Sequence, residues 1–338
     1  MARVHFAKPW NACCRNAASG STSSRNSRLE NRKRRALRSR LLYVPLRILE
    51  LIGRHLPLPV ARGIGIALGH LAWHVARRHR RIALRNIAAA FPEWSERRRR
   101  ATIRRMFHHL GESLMEIVWL PNLDFATRDR TTVFEGLEPI LELTKSGRGV
   151  VAFTGHCGNW EWLAYSAATF GIPVTVLQRE RNEPEMNRFI TRIRSRAGVH
   201  TIDRGSTGAA REMMSAIKRG SFLAFLIDQN IRTESAKVPF FGRPALTPIG
   251  PAKLAIRTGA AVVSVFIERR NGKQYVRCNP PMETRRDDDP IALTALITAD
   301  IEEQIRRVPE QWVWMHERWR ERPEWEVKAS ALRRTSTR

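Results

Sequence analysis

Acidic residues are in short supply in this chain. Of its 338 residues, 32 are Asp or Glu against 59 Lys or Arg, leaving a formal charge of +27 with His neutral. That excess is extreme for a plain metabolic enzyme and calls for an anionic partner: nucleic acid, anionic lipid or an acidic carrier protein. Cysteine is scarce as well. Cys13, Cys14, Cys157 and Cys278 offer neither zinc-ligand spacing nor a disulfide framework, which suits a reducing, cytoplasm-facing setting. The histidines are scattered without a paired-ligand helix, and there is no dinucleotide fingerprint or P-loop. Neither a metal nor a resident cofactor is therefore expected. Long apolar runs are missing too: the longest charge-free piece near the N-terminus, Gly63 to Ala76, falls short of the ~20 residues of a spanning helix.

What is present divides into four stretches. Residues 1–40 carry eleven Lys or Arg against the single acid Glu30, with a Ser-, Gly- and Asn-rich portion from Ala18 to Ser27, so a disordered tail is expected. No apolar segment follows that would make a secretory signal. The basic run Arg32 to Arg40 suits either anionic headgroups, at roughly 1 kcal/mol per charge, or plain solvation. Residues 41–123 read as a helical membrane-interface region. Leu41 to Ala76 is hydrophobic but interrupted by Arg47, Glu50, Arg54 and Arg62 and by Pro57 and Pro59. That pattern fits one or two amphipathic segments lying in an interface, with a core-packing helical hairpin as the soluble alternative. Pro92 ends a helix over Ile82 to Ala90. Ser95 caps the next, whose Ile103, Phe107, Leu110, Leu114 and Ile117 recur at helical spacing. His108 and His109 on it read as surface or packing residues.

Residues 124–325 alternate strand-like runs (Gly149 to Phe153, Pro173 to Leu177, Phe222 to Ile227, Ala261 to Phe266) with helical stretches around Trp162 to Phe170, Asn187 to Ala197, Gly208 to Arg219 and Gly250 to Thr258. The expected fold is α/β, with a mixed, mostly parallel sheet flanked by helices. Residues 326–338 are polar and expected to fray. Ligands of such sheets gather at the carboxyl ends of strands, where His156, Arg179 and Asp228 each follow an apolar run. The central stretch is Thr154-Gly155-His156-Cys157-Gly158-Asn159-Trp160-Glu161, between a strand and a helix. A Glu161 curled back onto His156 would fix the imidazole tautomer and free the other nitrogen as a general base. Taken alone, a His and a Glu at this spacing fit a satisfied histidine beside a helix N-terminal charge better than a catalytic pair. Cys157 points away from its neighbour on extended backbone, which argues against a thiolate nucleophile.

Gly155 to Glu161, GHCGNWE, resembles the His-x4-Asp/Glu signature of the glycerolipid-type acyltransferases. Its Gly-Asn-Trp is similar to the lipid A biosynthesis (lauroyl/myristoyl) acyltransferase family. Asn86 to Glu93, Phe240 to Ala245 and Trp312 to Trp319 read like the same family in its usual order, and the likeness covers roughly residues 41 to 325. The resemblance implies His156 as general base and Glu161 as its orienting acid. It places Arg179, Asp228, Gly158 and Asn159 in oxyanion, phosphate or substrate positioning. Phe240, Phe241 and Arg243 would lie on a loop beside the substrate, although an aromatic pair is as readily core. It implies an acyl-acyl carrier protein or acyl-coenzyme A co-substrate. The acceptor would be an anionic glycolipid, a lipid A precursor or another such as a phosphatidylinositol mannoside. The location implied is the cytoplasmic face of the inner membrane, peripheral or with a single N-terminal anchor. The resemblance sets the Trp312 to Trp319 cluster against the catalytic domain; an interfacial aromatic belt is the physical alternative. Nucleic acid is not an expected partner, because the cations are spread among apolar helices with no recognised binding module.

Overall fold

The computed structural model describes residue 44 and residues 47–178 and 184–321. The tail over 1–40, Arg179 and residues 326–338 lie outside the described residues. Pro57 and Pro59 start a helix rather than break one: they sit at the entry of α1 (Leu58–Val75), where a missing N–H costs nothing. α2 (Arg77–Ala90) and α3 (Glu96–Trp119) follow, and Ser95 caps α3 by accepting from the Arg98 N–H. α1 and α3 cross backbone to backbone. A Cβ on Gly65 would stand 2.5 Å from the Gly111 carbonyl oxygen, so this crossing excludes larger residues.

After the short helix α4 (Phe125–Thr131) the chain builds a seven-stranded sheet in the order β1-β9-β8-β2-β5-β3-β4. The strands are β1 (Thr132–Glu135), β2 (Val150–Thr154), β3 (Val174–Gln178), β4 (His200–Asp203), β5 (Phe222–Leu226), β8 (Ala261–Arg270) and β9 (Lys273–Cys278). All neighbours are parallel except β8 and β9, so the sheet is mixed and mostly parallel, as expected. β6 (Ser235–Phe240) and β7 (Arg243–Pro248) form a separate antiparallel hairpin. Helices α5 (Glu138–Lys145), α6 (Trp160–Thr169), α7 (Pro184–Arg196), α8 (Ala209–Lys218), α9 (Gly250–Thr258) and α10 (Pro290–Arg307) flank these strands.

The four apolar runs of the sequence are β2, β3, β5 and the first part of β8. β1 and β4 are four-residue edge strands, too short to show a period. Phe240 to Thr247, expected as a loop, is the β6–β7 hairpin, turning at Phe241 and Gly242, both with positive φ. Two of the three apolar cores cross from the helical segment into the α/β segment. One joins Leu58, Met115 and Trp119 to Trp162, Phe189 and Ile267; another joins Ile87, Phe91 and Phe107 to Phe153, Phe225 and Trp312.

Candidate active site

β2 and β5 are adjacent and parallel, with Thr154 in register with Leu226. Two residues beyond each register partner stand His156 and Asp228. The pairing of strands therefore brings two groups 72 positions apart into contact: His156 Nδ1 lies 2.7 Å from Asp228 Oδ1, and the His156 main-chain N–H donates to Asp228 Oδ2 at 2.8 Å. Trp312 Nε1–H also donates to Oδ2, at 2.7 Å. Burial opposes charge on Asp228, but the His156 imidazole and these donors outweigh it and hold the carboxyl well below the usual carboxylate range. An ionised acceptor on Nδ1 fixes the proton there and leaves the lone pair on Nε2.

This corrects the expected role of Glu161. Its two oxygens accept from Arg194 on α7, Nε at 2.8 Å and Nη2 at 2.7 Å, in a bidentate pair that is largely buried. Glu161 sits in the first turn of α6, whose direction carries it toward α7, and the carboxylate on His156 is Asp228. Gly158 and Asn159 also differ from expectation: both hold the turn that carries His156. Gly158 has φ 58°, and a Cβ there would meet the Ile267 carbonyl oxygen at 2.1 Å. Asn159 caps α6 by accepting from the Trp162 N–H at 3.1 Å, while its Nδ2 donates to the fully buried Glu116 at 2.9 Å. Glu116 is clamped in turn by Arg62 of α1 and Arg269 of β8. Burial resists its charge, yet these cations and Asn159 keep its carboxyl below the usual range. His109, beside Arg269 on the same cluster, is driven down to about 3 by burial and that guanidinium, so it is neutral packing.

Phe240 and Phe241 are core, not an acyl slot. They pack on Trp312, Trp314 and Trp319, and Arg243 stacks over the Trp319 ring at 5.4 Å. The C-terminal cluster is likewise buried against the site rather than forming an interfacial belt: Trp312 and Trp314 are in the core, and Arg318 bonds Leu246 and Thr247 of β7. Cys157 is buried, which pushes its thiol well up and keeps it protonated.

The site gains residues that sequence reasoning did not single out. Gln229 Nε2 lies 3.0 Å from His156 Nε2 and 2.6 Å from His316 Nε2. Both imidazole nitrogens present lone pairs if the amide nitrogen faces them, so the two N–H groups of Gln229 bridge them. The signal for Gln229 was its position next to Asp228 at a strand end. His316 comes from a segment folded back over the turn that carries His156, where Val313 N–H donates to the His156 carbonyl. Burial, then the neighbouring His156, lower the His316 pKa to about 4. A histidine held neutral below its unfolded pKa near 6.5 binds fewer protons folded than unfolded. Its contribution is complete above that value and lost as pH falls toward 4, on the order of 3 kcal/mol. Thermal unfolding from pH 7 to 4 should show this loss, and the His316→Gln curve should be flatter. Parallel curves would rule out a buried neutral His316.

Beneath α6 lies a cavity of about 830 Å³. Its polar lining comprises His156, Gln229 and His316, Glu161, Arg194 and Gln178, with Thr154 and Asn187; the remaining lining residues are apolar or aromatic. Phe222, Ala224 and Leu226, alternate residues of β5, line it from end to end of the strand, a span of roughly 13 Å at ~3.3 Å per residue. Leu137, Ile140 and Ile172 line the region remote from His156.

A histidine paired with a buried carboxylate thus stands at the carboxyl ends of two parallel strands, at the edge of a largely apolar cavity. The profile described as bacterial lipid A biosynthesis acyltransferase matches residues 30–321. The chain belongs to that family and is an acyltransferase. It is 31% identical over 284 residues to the lipid A biosynthesis lauroyltransferase of Escherichia coli, covering 80% of this chain and 88% of the relative. It is 30% identical to the palmitoleoyltransferase of the same organism, over 79% and 87%. A phosphatidylinositol mannoside acyltransferase of Mycobacterium tuberculosis is 25% identical over 62% of this chain and 67% of its own length. Among solved structures, a 1-acyl-sn-glycerophosphate acyltransferase of Thermotoga maritima aligns with a TM-score of 0.38 at 15% identity, over 76% of this chain and 99% of that one.

Proposed function

We propose that the protein transfers a fatty acyl group from an acyl-acyl carrier protein to a hydroxyl of a lipid A precursor. The observation that carries this reading is the largely apolar cavity whose polar lining includes His156. The acyl chain lies along β5, which brings the thioester carbonyl beside His156. As the acceptor hydroxyl attacks that carbonyl, its proton passes to His156 Nε2, and the imidazolium is stabilised by Asp228. The C–S bond then breaks and the proton leaves on the thiol. The hydroxyl displaces the Gln229 N–H from His156 Nε2, which frees that donor for the developing oxyanion. The main-chain N–H groups of His156 and Gly158 are already engaged, by Asp228 and by the Gln311 carbonyl. A side-chain donor is therefore needed, and Gln229 is in place.

The acceptor follows two relatives at about 30% identity that are named for lipid A biosynthesis, and an acidic carrier protein as donor suits the formal charge of +27. The mannoside acyltransferase likeness favours a second acceptor class, with the same His156 chemistry. The enzyme works at the cytoplasmic face of the inner membrane. No described helix is long and apolar enough to span, but Val60, Ile64, Leu71 and Val75 form an exposed aliphatic stripe on α1, suited to lying in an interface. Acyl transfer from lauroyl-carrier protein to a Kdo-bearing lipid A precursor tests the reading. Transfer supports it; transfer only to phosphatidylinositol mannoside would replace the acceptor. If the chain lies on β5, Ala224→Phe fills the middle of the cavity and should move donor preference to shorter acyl groups, at ~1–3 kcal/mol per misfitted methylene. An unchanged chain-length profile would remove the chain from this cavity.

A further inference from the structure

The eleven arginines from Arg77 to Arg105 face two acids, Glu93 and Glu96, in the same stretch, and none of them forms an ion pair among the described residues. They are ordered rather than scattered. Arg78, Arg81 and Arg85 recur at three- and four-residue spacing along one exposed side of α2; Arg97, Arg100 and Arg104 do so on α3. The two helices come together at Trp73, where Arg80 of α2 and Arg100 of α3 lie 5.0 and 5.6 Å from the ring centroid. Arg80 and Arg99 bond main-chain carbonyls and Arg98 lies over Trp94, so the fold uses these. Like charges at the spacing of Arg78, Arg81 and Arg85, or of Arg97, Arg100 and Arg104, weaken a helix, and an anionic partner would relieve that repulsion.

Their location points to the partner. α2 is fixed over the segment that carries His316: Asn86 Nδ2 donates to the Trp314 and His316 carbonyls. The His316 ring is 5.4 Å from that of His156. From Val75 to Leu114 no large hydrophobic side chain is exposed between the two, in contrast to the aliphatic stripe of α1. A surface that is cationic without apolar insertion sites suits a soluble acidic protein, while α1 suits a bilayer.

We propose that the α2–α3 arginine surface docks the acidic carrier protein that presents the acyl thioester, and so sets the thioester arm over His156. This rests on the carrier-protein donor of the reading above. The test measures affinity for the lauroyl-carrier protein by fluorescence anisotropy, comparing wild type with Arg81→Glu/Arg85→Glu/Arg97→Glu. These side chains are exposed, so thermal unfolding of the variant should match wild type; the corresponding Gln triple serves as a second variant.

Wild type should bind at low salt and release as salt rises. The Glu triple should raise Kd about tenfold or more, with the Gln triple between. Turnover of an uncharged lauroyl N-acetylcysteamine thioester should be unchanged. Equal carrier affinity in all three proteins would overturn the proposal, as would wild type that fails to bind at low salt. A triple that keeps the carrier but releases phosphatidylglycerol vesicles would assign the surface to the bilayer instead. Carrier binding lost in the triple, with no acyl transfer by wild type to any lipid A precursor, would uphold the docking surface and sink only the acceptor reading.

Discussion

His156→Ala should abolish acyl transfer, lowering kcat about 10³-fold or more while the protein remains folded. Positioned general bases supply on the order of 10²–10⁴ in rate, and here no other described group stands ready to take the proton. Asp228 is ionised but committed to the His156 ring and main chain and to Trp312; His316 is neutral and bonded through Gln229. The alanine leaves the apolar cavity intact, so KM for the acyl donor should change little, the pattern of an interaction made only in the transition state. Single-turnover transfer from a radiolabelled lauroyl donor separates chemistry from release. Activity within tenfold of wild type would end the general-base assignment.

Asp228→Asn should come next in size, at about 10²–10⁴-fold in kcat. The amide oxygen can still accept from Trp312 and from the His156 main chain, so the fold should hold. Its NH₂ would then face Nδ1 and favour the tautomer with the proton on Nε2, the wrong nitrogen for a base; the equivalent change in a hydrolase triad costs about 10⁴. Glu161→Gln is the comparison that gives this result meaning. It leaves the Asp228–His156 pair in place and instead unpairs Arg194, which should lower stability by about 3–5 kcal/mol, as breaking a buried ion pair does. Turnover by the folded fraction should fall far less than in Asp228→Asn. The opposite order, with Glu161→Gln the more damaging to chemistry at equal stability, would restore the orienting role to Glu161. Measuring kcat against unfolding midpoint for the two variants side by side decides between the carboxylates.

The distinction between those carboxylates marks where the sequence stopped being sufficient. His156 was legible because three local signals coincide there: an apolar run ending in Thr154, glycines on both sides of the His, and the start of a helix. The same logic placed Asp228 and Gln229 at another strand end. The sequence also determined the mostly parallel α/β layering and the Ser95 cap, because each is set by patterns within a few residues. Which carboxylate meets His156 depends instead on β5 lying next to β2 with Thr154 opposite Leu226, a pairing between residues about seventy positions apart. Spacing along the chain favoured Glu161 because it is five residues away; α6 points it at Arg194. His316 and Trp312 needed the fold as well, since only the return of the C-terminal segment across the His156 turn brings them to Gln229 and Asp228. The cavity is the clearest case. Phe222, Ala224 and Leu226 share a face by strand alternation, but the space above them exists because α6, α3 and α7 arch over that face, and only tertiary packing makes that space.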